Sequence, residues 1–246
     1  MNTRGRIALA ACSGGLLLTP VLALPSAADA APTLKADLPC YYPGQQINLN
    51  GAGYTPGGEV ALILQLLGAH GHTFFSPKDS PHADAAGGLT ARLPAPDLAS
   101  DNDLRETVTL TANDQARLDP ANPPAAPDDT FGFTQFMVSA VGVRVGPWFS
   151  HRATPRALAT FQVVGWEPFR KVYVHYFLNH KRLKTVELGS VSGPCGDLRR
   201  TMRQFPFRPV PAGRYSIRFT GTRFFDPDGF WVEYRNVVVP KAKAIR

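Results

Sequence analysis

Residues 107–111 read TVTLT and residues 173–177 read YVHYF, β-branched and aromatic side chains in a period-two texture. Alternation of that kind puts every second side chain on one face of an extended strand. Comparable runs fall at 45–51 (QQINLNG), 59–67 (EVALILQLL), 105–112 (RETVTLTA) and 134–145. They recur at 159–165 (ATFQVVG), 170–178 (RKVYVHYFL), 213–220 (GRYSIRFT) and 231–239. Adding 33–38 and 182–188, each half of the chain reads as about seven short strands. Gly (22) and Pro (23) are spread throughout the 246 residues, which places turns between strands rather than long helices.

The two halves share a sentence. Gly53-Tyr54-Thr55-Pro56 precedes Val60 with three residues between, and Gly165-Trp166-Glu167-Pro168 precedes Val172 in the same way. Further on, Gly87-Gly88-Leu89 matches Gly196-Asp197-Leu198. The motif specifies a turn. Its glycine permits a sharp bend or a positive φ, and its proline fixes φ and withholds a ladder donor. The aromatic covers one end of a sandwich, and the valine restarts the core pattern.

This G-[YW]-x-P-x-x-x-V turn, set between a strand ending in "GAG" or "VVG" and an apolar strand, resembles the secreted bacterial immunoglobulin-like modules of GC-rich Gram-positive envelopes. The antitumour-chromophore carrier proteins have a related V-x-G-A-G opening, but this chain departs from them in having two domains and no pair of disulfides within one. The resemblance covers most of 33–240 and implies an all-β chain of two immunoglobulin-like β-sandwich domains in tandem. The expected domains are 31–146 and 147–240, with a basic tail at 241–246.

Residues 1–30 read as a cleaved secretory signal: Arg4 and Arg6, an Ala/Leu-rich run, then Ala28-Asp29-Ala30. A lipoprotein reading on Leu9-Ala10-Ala11-Cys12 competes, but few apolar residues precede Cys12. No later stretch is long and apolar enough for a transmembrane segment. The expected location is secreted or extracellular, with wall association as a variant. Loss of Cys12 leaves Cys40 and Cys195, either one disulfide or two free thiols. With strands alternating in direction, the first turn of domain 1 and the fourth turn of domain 2 both lie at the junction. That parity predicts an interdomain Cys40–Cys195 bridge.

Charge divides unevenly. Residues 31–146 carry 6 Lys/Arg against 12 Asp/Glu, a balance of −6, while 147–246 carry 18 against 6, a balance of +12. Parity sends Asp97, Asp101 and Asp103 to the junction, opposite Arg152, Arg156 and Arg223. It sends Lys181, Arg182, Lys184, Arg208, Lys241, Lys243 and Arg246 to the far end of domain 2. The first six are the candidate contacts for an anionic surface. At the free tip of domain 1 the turn after Gly53, the loop 77–88 and the Pro-rich loop 112–130 gather as a candidate partner surface, although DPANPPAAPDD within the last reads more as a flexible spacer.

No nucleophile elbow, phosphate loop, HExxH or CxxC occurs. His70, His72 and His82 lack a completing ligand at metal spacing. FFDPDGFW (224–231) is half of a calcium loop and reads instead as an aromatic turn. RRTMRQFPFR (199–208) has the basic–aromatic texture of a nucleic-acid binder, but a secreted sandwich makes that partner unexpected. The reading is therefore a non-enzymatic binding or structural protein with no cofactor and no metal, its partner an anionic envelope polymer or a protein. The alternative is a small-molecule carrier with a cleft between or beside the sandwiches.

Overall fold

A computed structural model of the chain describes residues 31–68, 71–77, 79–100, 103–118, 127–146, 153–166, 169 and 171–241. The leader expected at 1–30 lies outside them. Eight strands build the first sandwich: β1 (Thr33–Ala36), β2 (Cys40–Tyr41), β3 (Gln46–Ala52), β4 (Val60–Gly68), β5 (Gly71–Phe75), β6 (Leu89–Pro94), β7 (Arg105–Asp114) and β8 (Phe131–Ser139). They are dealt into a three-stranded sheet, β1-β3-β6, and a five-stranded one, β2-β8-β7-β4-β5. The chain passes repeatedly from one sheet to the other, as in an immunoglobulin-like sandwich. Apolar alternation supplies the core: Ile47 and Leu49 from one sheet meet Val60, Leu66, Val108 and Leu110 from the other, all fully buried.

The second sandwich has seven strands: β9 (Gly142–Gly146), β10 (Leu158–Val164), β11 (Lys171–Leu178), β12 (Lys181–Ser190), β13 (Leu198–Arg203), β14 (Gly213–Thr220) and β15 (Val232–Val239). Its sheets are β13-β10-β9 and β12-β11-β14-β15, the same arrangement without the short second strand. Phe161, Val163, Trp166, Val172, Val174, Ile217 and Phe219 form its core. Tyr215, at the start of β14, donates to the Pro211 carbonyl at 2.8 Å, the tyrosine corner of such sandwiches.

The run at 134–145 is not one strand. β8 ends at Ser139, and Gly142–Gly146 pairs antiparallel with β10, so it is the first strand of the second sandwich. A continuous apolar pattern hid the break, because Ala140 and Val141 alone carry the chain across. One consequence is topological: the connection from β9 to β10 becomes a turn at the far end of domain 2. The expected boundary after residue 146 therefore leaves β9 on the wrong side.

The shared sentence is one structural device used twice. Tyr54 donates its amide to the Gly87 carbonyl at 3.1 Å, and Trp166 does the same to Gly196 at 3.2 Å. Both aromatic side chains are fully buried, and Gly53 and Gly165 both take positive φ, 84° and 69°. Only a residue without Cβ fits at Gly165, where an added Cβ would stand 2.3 Å from the Ala140 carbonyl oxygen.

Candidate functional site

At the junction, Cys40 and Cys195 are joined by a disulfide with Cα atoms 5.5 Å apart. Three further contacts surround it. Arg105 of β7 pairs with Asp197, Tyr42 donates its hydroxyl to the Gly165 carbonyl at 3.1 Å, and Ala140 donates its amide to Leu104 at 3.0 Å. The junction ion pair thus has its cation in the acidic half and its carboxylate in the basic half, the reverse of the expected sense. Asp97 lines a groove beside Phe75, Arg156 lies at the opposite end of domain 2, and Asp101 and Arg152 fall outside the described residues. Arg223 is exposed on the loop before β15. Trp166 and Phe169 face the junction end, yet pack on Phe230 of their own domain, at 5.7 and 6.2 Å between ring centroids.

A ridge of cations runs along domain 2 toward its far end. Lys181, Arg182 and Lys184 are exposed along β12, the edge strand of its sheet. Beside it runs β13, edge strand of the other sheet, with Arg199, Arg200 and Arg203 exposed. Glu187 is the one carboxylate on these two strands, and it is held 3.0 Å from Lys171. The ridge leads to a groove of about 1080 Å³ walled by Pro155, Phe205, Phe207, Val210 and Pro240. Arg156, Arg203 and Arg208 also line it. Arg208 lines that groove, Lys241 is exposed just beyond its Pro240 wall, and Lys243 lies outside the described residues. Arg156 and Arg203 were missed. The RRTMRQFPFR string was the visible signal, and recognition of β9 as a strand would have carried Arg156 to the same end.

A second constellation has no counterpart in the sequence reading. Arg218, on the outward face of β14, lies 4.9 Å from the Phe177 ring centroid, 5.0 Å from Phe225 and 4.7 Å from Trp231. Its Nε donates to Glu233 at 2.9 Å. Burial pushes the Glu233 carboxyl up, but hydrogen bonds from Ser216, Arg235 and Arg218 together outweigh it and hold it down at about 2. The FFDPDGFW turn supplies Phe225 and Trp231 to this sheet face, while its Phe230 packs on Trp166 and Phe169 at the junction end. Under it His175 is buried, bonded to Thr185 at 2.9 Å and Thr220 at 2.8 Å. Desolvation by burial pushes His175 down to about 4, which keeps the imidazole neutral at ordinary pH. Its place is structural.

The tip of domain 1 is knitted from within. Asp114 is buried, accepts the Thr55 amide at 2.6 Å and sits 3.3 Å from Arg117 Nε. Arg117 also donates to the Gly53 carbonyl at 2.7 Å. Burial, with the Asp114 charge beside it, pushes the Tyr54 hydroxyl far above its ordinary range. These bonds tie the turn after Gly53 to the start of the Pro-rich loop, whose residues 119–126 lie outside the described ones. Among the described residues no group of three His, Cys, Asp or Glu side chains could hold a metal, and His70 lies outside them. No helix among the described residues is long and apolar enough to cross a membrane.

No family model matches the chain, and no curated protein matches it. Among solved structures, a tetra-tandem repeat from the extending region of a large adhesion protein aligns over 77% of this chain and 44% of its own, at 15% identity and a TM-score of 0.28. Red sea bream transglutaminase aligns over 86% and 31%, at 14% identity and TM-score 0.26. Chicken CNTN1 FN1–FN3 domains align over 86% and 67%, at 10% identity and TM-score 0.26. The chain thus spans less than half the length of the first two. At these TM-scores the likenesses carry no argument about function.

Proposed function

We propose that the chain is a non-enzymatic, exported binding protein whose second domain holds it against an anionic polymer of the cell envelope. One observation carries the reading: the edge strands β12 and β13 expose Lys181, Arg182, Lys184, Arg199, Arg200 and Arg203 side by side, with a single carboxylate among them. A linear array of cations suits a linear polyanion, whose charges it meets in sequence rather than at one point. The far-end arginines and Lys241 extend the array. The acidic first domain is then held outward, its tip free for a protein partner. Retention on an immobilised teichoic acid or polyuronate column tests this. Elution is expected to need raised salt, and a Lys184→Ser, Arg203→Ser, Arg208→Ser variant to elute at clearly lower salt. Retention insensitive to both salt and the triple substitution refutes the proposal.

The carrier reading has one observation in its favour, the far-end groove with its Phe and Pro walls. Native mass spectrometry of the protein from its producing cell decides it: a co-purified small molecule supports a carrier, and its absence removes that reading.

A further inference from the structure

We propose that a pocket on the outward face of β14 and β15 is a receptor for one carboxylate-bearing sugar unit, gripped by Arg218. The pocket encloses about 590 Å³ and is lined by Arg218, Arg214, Arg235, Phe177, Phe225 and Glu233 among others. That volume suits one or two sugar rings. The proposal rests on the reading that domain 2 meets an acidic polymer, and it assigns the place where a single unit of that polymer is recognised.

Arg218 is built as a receptor before any ligand arrives. Phe177, Phe225 and Trp231 surround its guanidinium, and Glu233 accepts a hydrogen bond from its Nε. Among the described residues its two terminal amino groups have no hydrogen-bond partner. They form the edge that pairs with both oxygens of a carboxylate. A side chain already fixed by three rings and an ion pair loses little freedom on binding, so more of the pairing energy remains as affinity.

Charge favours an anion. Three arginines line the pocket against one carboxylate, Glu233, whose oxygens are already engaged by Ser216, Arg218 and Arg235. Polar side chains suited to hydroxyls stand at the rim. Asn179 and Asn236 both hold positive φ, 49° and 60°, a conformation asparagine tolerates, and both line the pocket. Amide side chains beside an apolar ring edge and an arginine fork match a sugar carrying a planar carboxylate. The groove at the end of the basic ridge is larger but is walled mainly by Phe and Pro, with no carboxylate or asparagine among its lining residues.

Titration of Trp231 fluorescence tests this, with sodium glucuronate as probe and glucose in equimolar sodium chloride as control. Trp231→Phe identifies the signal. A saturable change with glucuronate and none with glucose is expected. Arg218→Lys, which keeps the charge but not the fork, is expected to weaken glucuronate at least tenfold. Should that variant fail to fold, Arg235→Ala at the exposed rim is expected to weaken it about threefold. Equal responses to glucuronate and glucose, or wild-type affinity in the variants, overturn the proposal. An inorganic phosphate response as strong as that to glucuronate overturns the sugar assignment. The Lys184→Ser, Arg203→Ser, Arg208→Ser protein separates the two readings. It is expected to lose column retention yet titrate normally, and loss of the titration there would show a general charge effect and overturn the site. Failure of column retention in the wild type, with the titration intact, would instead overturn the polymer reading alone.

Discussion

The outward face of the larger sheet in each domain starts from the same strand plan and ends in opposite chemistry. In domain 1 the register aligns Ile63, Thr111 and Phe133 in one row and Gln65, Thr109 and Gln135 in the next. None of these is charged, and Phe133 is 59% exposed. In domain 2 the corresponding face carries His175 and Phe177 on β11, Arg218 on β14 and Glu233 on β15. Here the connection 221–231 folds down and covers it with Phe225 and Trp231. That cover explains why β11 is buried on both sides while β4 keeps its alternation. It also explains how a histidine and an arginine persist on a sheet face: each has partners supplied by cross-strand threonines, Glu233 or loop aromatics. Shared turns set the fold, and the loop between β14 and β15 sets what the second face can do.

The comparison depends on the two sandwiches being locked together, and the disulfide is the strongest lock. It closes a sequence separation of 155 residues. The chain-entropy model assigns a loop of that length about 5 kcal/mol. In a Cys40→Ala, Cys195→Ala protein the domains are expected to unfold at separate midpoints, both at lower denaturant than in the oxidised protein. Superimposable denaturation curves for the two proteins would refute the lock.

Glycine substitutions compare the two turns directly. Gly165→Ala combines a φ of +69° with a Cβ 2.3 Å from a backbone oxygen, so the junction must shift. A loss of about 3 kcal/mol or more is expected from strain and clash together. Gly57, in the other turn, has φ +70° and open space around an added Cβ. Gly57→Ala is therefore expected to cost about 1 kcal/mol, for the left-handed conformation alone. Chemical denaturation of both variants gives the difference, and equal losses would show that the junction is loose.

The burial of His175 is expected to appear as a pH effect. The folded pKa lies near 4 against an ordinary 6.5. Between those values the unfolded chain binds the extra proton, so this contribution is complete above pH 6.5 and is lost as pH falls toward 4. At most about 3 kcal/mol is involved. Glu233, held at about 2, adds a separate loss only below the ordinary carboxylate range. A His175→Gln protein is expected to lose less stability than the wild type between pH 6.5 and 4. Parallel stability profiles would place His175 in solvent in the native state.

Much of this was legible because turns and alternation are local. The paired Gly53 and Gly165 turns, the strands around them and the Cys40–Cys195 bridge all followed from spacing and strand direction. What escaped was tertiary. Nothing local separates Ser139 from Gly142 inside one apolar run, so β9 was assigned to the first domain and Arg156 to the junction. The fold-down of Phe225 and Trp231 was equally hidden, because FFDPDGFW specifies a turn but not the face it lands on. Arg218 alternates along β14 like any solvent-facing arginine. Its three rings come from β11 and from the loop before β15, and only the packed sheet brings them together.

The smallest expected effect sharpens the junction most. Arg105 and Asp197 form the ion pair that crosses between acidic and basic halves, with side chains 38% and 34% exposed. Water and salt screen a pair that open, so Arg105→Gln is expected to cost well under 1 kcal/mol. The disulfide already holds the two ends close, leaving little entropy for the pair to recover. In the protein lacking Cys40 and Cys195 the same substitution acts on a junction without that tether. There it is expected to separate the two unfolding midpoints further. A double-mutant cycle over the bridge and Arg105 measures the coupling. A cost above about 2 kcal/mol in the oxidised protein would make electrostatics, not the covalent tether, the force that aligns the two faces.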